Sequence, residues 1–313
     1  MTPVAALQRN NTARRIWDAL PHSLRDEVWK RKYVNKKAMK IPRRPVTFNE
    51  KVRYKMLKDR RTLLTTFADK VAVRDYVAQK VGRDLLTQCY LITADPKHIR
   101  ADCLPREFVV KASHGCGGNV VVADHAPSQN TLPEPPARWS SSLVTPGSLD
   151  WGLLRGLCRE WLGLTYGRYG QWAYTKIRPR ILAEELLVGN GSSPSDYRFF
   201  VFHGHVRLVQ VECDRFGNHT GNFYSPEWDS IPVACGWPSG PEVNRPGSLR
   251  EMISIAETLG QETDFVRVDL YALGDRIVFG EMTNYPGGGR LPFEPASFGH
   301  ELGSWWSLPK RYR

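Results

Sequence analysis

Residues 265–289 read FVRVDLYALGDRIVFGEMTNYPGGG, and the rest of the chain is organised around them. Two short runs rich in β-formers flank a turn over Ala272–Asp275 that contains Gly-Asp, the signature of a hairpin. Asp269 sits on the first run and Glu281 ends the second, so pairing across the turn brings both carboxylates towards one end of a sheet. Converging hard oxygens on rigid strands suit Mg²⁺, which takes one or two protein carboxylates with phosphate oxygens and water. Arg267 lies two residues before Asp269 and therefore shares its face. An acid and an arginine on one face suit anionic phosphate chemistry. The same residues would also make a solvated hairpin with a surface ion pair, so the rest of the chain has to decide.

Upstream, Ser248–Gly260 reads as a helix, with Ser248 and Glu251 as a capping box and Gly260 as its stop. Asp196–Phe202 and Val206–Cys213 form a second hairpin across His203-Gly204, preceded by a turn over 189–195. Ile181–Val188 is an apolar run carrying Glu184 and Glu185. Such a strand can offer its backbone to an adenine edge while an acid takes a ribose hydroxyl; charged gatekeepers on an edge strand look the same. Asp196-Tyr-Arg198 and Asp214-Arg215…His219…Asn222 place charge among apolar strand positions, which fits a polar cleft or plain surface alternation.

A glycine-rich turn, Ser113-His-Gly-Cys-Gly-Gly-Asn119, joins the strands Glu107–Ala112 and Val120–Ala123. Lys111 precedes it, and Gly115, Gly117 and Gly118 would let backbone N–H groups approach phosphate oxygens. No GK[ST] opens a helix and no helix follows, so neither a P-loop nor a dinucleotide fingerprint is present. For His114 and Cys116 a loop-capping or packing role is the plainer expectation. Earlier, Thr47–Glu50 resembles a capping box before a helix over Glu50–Lys58, and a helix over Phe67–Val81, closed by Gly82, begins Ala68-Asp69-Lys70. Gln88–Thr93 is strand-like. Asp150 caps a helix to about Leu164. Residues 127–148, rich in Pro and Ser, read as a long mobile surface loop. Residues 4–37 read as interrupted amphipathic helix. The order is α+β rather than a doubly wound parallel sheet.

The chain has 313 residues, 41% apolar, enough for more than one packed lobe. Its net charge of +12 is concentrated at the start: residues 1–61 hold 18 Lys/Arg against 5 Asp/Glu, and the remainder 26 against 27. The basic segment suits an acidic polymer or an anionic membrane face. Nucleic acid is not an expected partner, because no recognition motif accompanies the charge. Six cysteines without a CxxC pair signal neither a disulfide framework nor a zinc site. No apolar run is long enough to span a membrane and no secretory leader is seen, so a cytoplasmic protein, peripheral at the inner membrane face, is expected.

In order along the chain, the phrases TFNEKVRYKMLKDR, DKVAVRDYV, FVVKASHGCGGN, DYRFFVFHG, DRFGNHTGNFY, FVRVDLY and FGEMTNYPGGG resemble the TupA-like branch of the ATP-grasp family, named for teichuronopeptide biosynthesis. The resemblance runs from about Val46 to Trp306. It implies an ATP-grasp fold with two α+β lobes clasping ATP: a basic helical segment over 1–61, an N-terminal lobe with the glycine-rich flap over 62–182, and a C-terminal lobe with the metal and acceptor site over 183–313. Lys70 and Lys111 would contact phosphates. Ser113, His114, Gly115, Gly117 and Gly118 would belong to the flap. Glu184, Glu185 and Leu187 would form the adenine hinge, with Asp196 facing ribose. Asp269 and Glu281 would hold Mg²⁺, or Mn²⁺. The family's third ligand, Asn two residues after the Glu, is here Thr283, with Asn284 next. Arg267 would stabilise the reacting phosphoryl or tetrahedral group, with Arg215 and Asn222 at the acceptor end.

The activity implied is an ADP-forming carboxylate–amine ligase acting through an acyl phosphate. Its partners would be an acidic saccharide or other carboxylate and a small amine, as in joining an amino acid or peptide to a uronic-acid polymer of the cell envelope. Residues 4–37, with Arg and Lys opposite their apolar positions, would either pack on the body of the protein or touch an anionic membrane. A saccharide kinase of the same fold and a non-enzymatic polyanion-binding protein are the alternatives. Free phosphate separates the first from the ligase, and the retained Lys111, Arg267, Asp269 and Glu281 speak against the second.

Overall fold

The computed structural model describes residues 42–134, 139–167, 170–188, 194–214 and 218–312. The helical segment expected over 4–37 and Arg215 lie outside the described residues. In chain order the structure runs α1 (Phe48–Lys58), α2 (Thr62–Ala68), α3 (Ala72–Val81), β1 (Cys89–Thr93), β2 (Phe108–Ala112), β3 (Asn119–Val122), β4 (Ser141–Val144), α4 (Trp151–Leu162) and β5 (Ile181–Glu184). It continues with β6 (Asp196–Phe202), β7 (His205–Cys213), β8 (Thr220–Tyr224), β9 (Ser230–Ile231), β10 (Ala234–Cys235), α5 (Leu249–Gly260), β11 (Phe265–Leu273), β12 (Arg276–Thr283), β13 (Phe293–Glu294) and α6 (Phe298–Ser304). The expected α+β class is what the chain adopts.

Two sheets carry the architecture. The first has strand order β1-β5-β2-β3-β4, and α4 covers one of its faces. Asp150 accepts from Leu153 N at 2.8 Å and opens α4, whose Leu154, Leu157, Cys158 and Trp161 pack on Phe108, Val110, Ala112, Ile181 and Ala183. The alternate residues of β2 and β5, including Lys111 and Glu184, point to the other face. The second sheet, β12-β11-β6-β7-β8-β9, has helices packed on both faces. α3 and α5 cover one face through Val73, Val77, Met252 and Leu259 against Phe199, Val201, Val209 and Val268. α1, α2 and α6 cover part of the other, with Phe48, Val52, Leu64 and Leu302 against Phe200, Phe202, Leu208 and Phe265. By packing, α1–α3 go with the six-stranded sheet although they precede the five-stranded one in the chain.

The capping box at α1 forms as read: Glu50 N donates to Thr47 Oγ1 at 3.3 Å, and Thr47 N to Glu50 Oε2 at 3.0 Å. Three local readings are corrected. The helix expected over Phe67–Val81 is two helices. Asp69 interrupts it by accepting from Val71 N at 2.9 Å and from Arg180 at 2.8 Å, while Lys70 N donates to Ser113 O at 3.0 Å. A side chain that bonds its own backbone competes with helix. In the stretch expected as a loop over 127–148, Ser141–Val144 is instead the edge strand β4, parallel to β3. The box at Ser248 does not form, as Ser248 makes no side-chain cap bond; the strongly amphipathic α5 is held by its apolar face.

Candidate active site

β11 and β12 pair as the turn chemistry predicts, with Leu273 opposite Arg276 across Gly274-Asp275. Asp269 lies opposite Glu281 and Arg267 opposite Thr283. On its other side β11 pairs with β6, setting Phe265 against Phe202, Arg267 against Phe200 and Asp269 against Arg198. β6 in turn sets Phe200 against Leu208, Arg198 against Gln210 and Asp196 against Glu212. Period-two alternation therefore gives one face of this sheet two halves. Phe202, Phe200, Leu208 and Phe265 are apolar and lie under α1 and α6. Asp196, Arg198, Gln210, Glu212, Arg267 and Asp269 continue the same rows as an ionic floor.

Arg267 forks onto Asp269, donating from Nε to Oδ1 at 2.7 Å and from Nη2 to Oδ2 at 2.6 Å. Its Nη2 also reaches Glu281 Oε1 at 3.1 Å and Thr283 Oγ1 at 3.2 Å, and Thr283 donates to Glu281 Oε1 at 3.0 Å. Arg198 holds Asp196 at 2.9 and 3.0 Å, pairs with Glu212, and stands 3.7 Å from Asp269. His219 Nε2 is 2.9 Å from the other Glu212 oxygen. Asp196, Glu212, Asp269 and Glu281 are four carboxylates facing two guanidinium groups.

The electrostatics reflect that imbalance. Burial pushes the Asp269 carboxyl up to about 7; Arg267 pulls against this, and Asp196 and Glu281 add to the rise. Burial acts the same way on Glu281, but there Arg267, with Lys70, Arg198 and the Thr283 hydroxyl, wins and holds it down at about 2. Burial disfavours the Arg267 charge, yet Asp269 and Glu281 outweigh it and raise that pKa. An acid cluster short of positive charge, built of hard oxygens, fits a divalent cation. Among the described residues no three His, Cys, Asp or Glu side chains form a ready cage for a metal ion. Glu281 is the accessible donor, its side chain 42% exposed, whereas both Asp269 oxygens are engaged by Arg267.

The glycine-rich turn borders the open face of the five-stranded sheet. Lys70 Nζ donates to Gly115 O at 2.5 Å, which ties the junction between α2 and α3 to the turn. Lys111 pairs with Glu184, which also accepts from Thr87 Oγ1 at 2.7 Å and Arg74 at 3.3 Å. Burial would raise Glu184, but Lys111, the Thr87 hydroxyl and Arg74 bring it below the usual carboxylate range. Glu185 faces out and is clasped by Arg276 of β12 at 2.6 and 2.9 Å, one of the ties between the two sheets. Trp139 lies on the turn itself: a Cβ on Gly115 would collide with the indole, and Gly117 has φ +85°, so neither position accepts a side chain.

A family model described as TupA-like ATPgrasp matches residues 50–306. The chain belongs to the TupA-like ATPgrasp family. That match spans both sheets and every side chain of the ionic floor. Solved structures of similar fold include D-alanine–D-alanine ligase from Bacillus anthracis complexed with ATP, at 12% identity and TM-score 0.41, over 72% of this chain and 57% of that one. L-amino acid ligase from Bacillus licheniformis matches at 13% identity and TM-score 0.39, over 91% and 57%. ATP-grasp ligase PsnB, complexed with a phosphomimetic variant of its minimal precursor, Mg and ADP, matches at 11% and 0.35, over 71% and 51%. The chain thus spans little more than half the length of these ligases. No curated protein matches the sequence. Among the described residues no helix is long and apolar enough to cross a membrane.

Within this TupA-like frame the structure gathers Lys70, Ser113, Gly115, Gly117, Gly118 and Lys111 around one turn. It gathers Asp196, Arg267, Asp269, Glu281 and Thr283 on the sheet floor. Leu187 lies just beyond β5. Three expected residues turn elsewhere. Asn284, one residue past the end of β12, is buried and donates to Leu64 O of α2 at 2.7 Å rather than joining the carboxylates. His114 is buried with Nε2 at 3.0 Å from Trp161 O and 3.2 Å from Leu164 O, a packing role that burial enforces by lowering its pKa. Asn222 pins the following loop, accepting from Gly240 N at 2.9 Å and donating to Pro241 O at 2.6 Å. Sequence reading passed over Glu212 and gave Arg198 no partner. The only signal was charge at alternating strand positions, and what each charge met depended on strand register.

Proposed function

We propose that this TupA-like protein is an ATP-dependent, ADP-forming carboxylate–amine ligase working through an acyl phosphate. Its proposed reaction attaches an amino acid or peptide to a uronic-acid-containing cell-envelope saccharide or a related acid. The observation that carries the reading is Arg267, buried and shared between Asp269 and Glu281 on one hairpin. Phosphoryl transfer asks the protein for positioning and charge neutralisation rather than a covalent nucleophile. Lys70 and Lys111 would leave Gly115 O and Glu184 to meet phosphate oxygens, with backbone N–H groups of 113–119 closing over them and excluding water. Glu184, Glu185 and Leu187 would flank the base and Asp196 the ribose. Asp269, Glu281 and Thr283 would hold Mg²⁺, which when bound neutralises developing phosphate charge. Arg267 would then stabilise the tetrahedral oxyanion formed when the amine attacks.

The test is a phosphate balance. Protein, ATP, Mg²⁺, a uronic-acid saccharide pool and an amino-acid pool are incubated together, and ADP and free phosphate are quantified. Equal amounts that depend on the amine are expected. ADP without matching free phosphate would replace the ligase with a kinase.

A further inference from the structure

Trp237 is one of the few large apolar side chains left open among the described residues, at 46% exposure, and it is held firmly. Its ring stacks on His219, with centroids 4.1 Å apart and planes 26° from parallel. The loop that carries it is pinned to β8: Gly221 N donates to Pro238 O at 3.0 Å, and Asn222 clasps Gly240 and Pro241. One face of the indole is propped, and nearly half of the residue stays exposed. A rigid aromatic ring held this way can take a second ring at little entropic cost.

The platform is tied to the active site. His219 bonds Glu212, Glu212 pairs with Arg198, and Arg198 stands 3.7 Å from Asp269. Trp237 is therefore the outer end of the ionic floor. The chemistry of its surroundings narrows the occupant. Glu212 has Oε1 engaged by Arg198 and Gln210 and Oε2 by His219, so neither oxygen is left to hold a cation over the indole. A ring with an apolar C–H face and a hydroxyl rim suits an open indole bordered by polar groups. We propose that Trp237, propped by His219, is the stacking platform for a pyranose ring of the acceptor. The word acceptor rests on the ligase reading; the docking itself needs no nucleotide.

The experiment is ¹⁵N-indole NMR with calorimetry on the full chain, without nucleotide, titrated with tetragalacturonate and with cellotetraose. The Trp237 signal, assigned by its loss in Trp237→Phe, is expected to shift saturably with at least one tetrasaccharide. Trp237→Ala should weaken that binding about tenfold or more, and Trp237→Phe by less. No shift with either tetrasaccharide, equal affinity in Trp237→Ala, or a larger response to adenosine or lysine amide would overturn the proposal. ADP formation, followed on the same preparations, keeps the two readings apart. Turnover with a silent Trp237 sinks the platform alone, and saccharide docking without ADP formation sinks the ligase alone.

Discussion

β11 begins beside one ionic cluster and runs into another, and the two are built differently. At its start, Asp264 and Asp59 face Lys55 and Arg61. Lys55 is fully buried, 2.9 Å from Asp59 and paired with Asp264, and Arg61 adds bonds of 2.6 and 2.9 Å to Asp59. The Trp306 indole and the Tyr312 hydroxyl each donate to Asp264 Oδ2 at 2.8 Å. Here two anions meet two cations and neutral donors fill the remaining lone pairs. Burial would raise both acids, but their partners hold both below the usual range. Five residues beyond Asp264, the floor around Asp269 has four carboxylates for two guanidinium groups, and Asp269 is pushed up to about 7. A balanced cluster is complete as it stands. An unbalanced one can be relieved by a proton on Asp269 or by an added cation, and such perturbed acids mark candidate binding sites.

That contrast is open to breakage from either side. The largest stability effect should come from Lys55→Ala, which leaves two buried carboxylates without their cation. The expected cost is about 3–5 kcal/mol in urea unfolding. In the other cluster, Asp269→Asn should cut ADP formation by about 10²-fold or more, the scale of losing one transition-state charge partner. It should leave the thermal midpoint at pH 8 unchanged or higher. Glu281→Gln should cut ADP formation similarly without raising the midpoint. Undiminished ADP formation in both variants would remove the metal assignment.

A pH series sharpens the comparison. A carboxyl whose folded pKa is raised, as at Asp269, favours folding below the unfolded value and loses that contribution as pH rises through about 7. The stability of Asp269→Asn relative to the parent should therefore climb between pH 4 and 7, and Mg²⁺ with ATP should narrow the gap. Asp264 has the opposite sign: its pKa is lowered, so its contribution is present at neutral pH and is lost only on acidification below the usual carboxylate range. The smallest effect separates neighbours. Asn284→Ala should cost about 1 kcal/mol, one buried hydrogen bond, with ADP formation kept. Thr283→Val should leave stability nearly unchanged and reduce ADP formation.

Residues 265–289 were legible as a hairpin because alternation and the Gly274-Asp275 turn are local, whereas the register shift beside Asp269 that brings Glu281 opposite it carried no signal of its own. The α1 cap was legible because it too is local. What escaped was decided by partners distant in sequence. Ser141–Val144 has no pattern of its own and becomes a strand because β3 offers an edge. The break at Asp69 depends on Arg180, and the place of Glu212 in the floor depends on β6 pairing with β7. Thr283 ends β12 and Asn284 lies one residue past it, and which of the two joined the carboxylates was a tertiary fact.

The two donors to Asp264 Oδ2, Trp306 and Tyr312, come from the last residues of the described chain, and Lys51 of α1 donates to Gly303 O at 2.7 Å and Trp306 O at 2.5 Å. For anyone engineering this protein, residues 305–312 are consequently no tail. A truncation before Trp306 strips the indole and phenol from Asp264 and loosens α1 from α6.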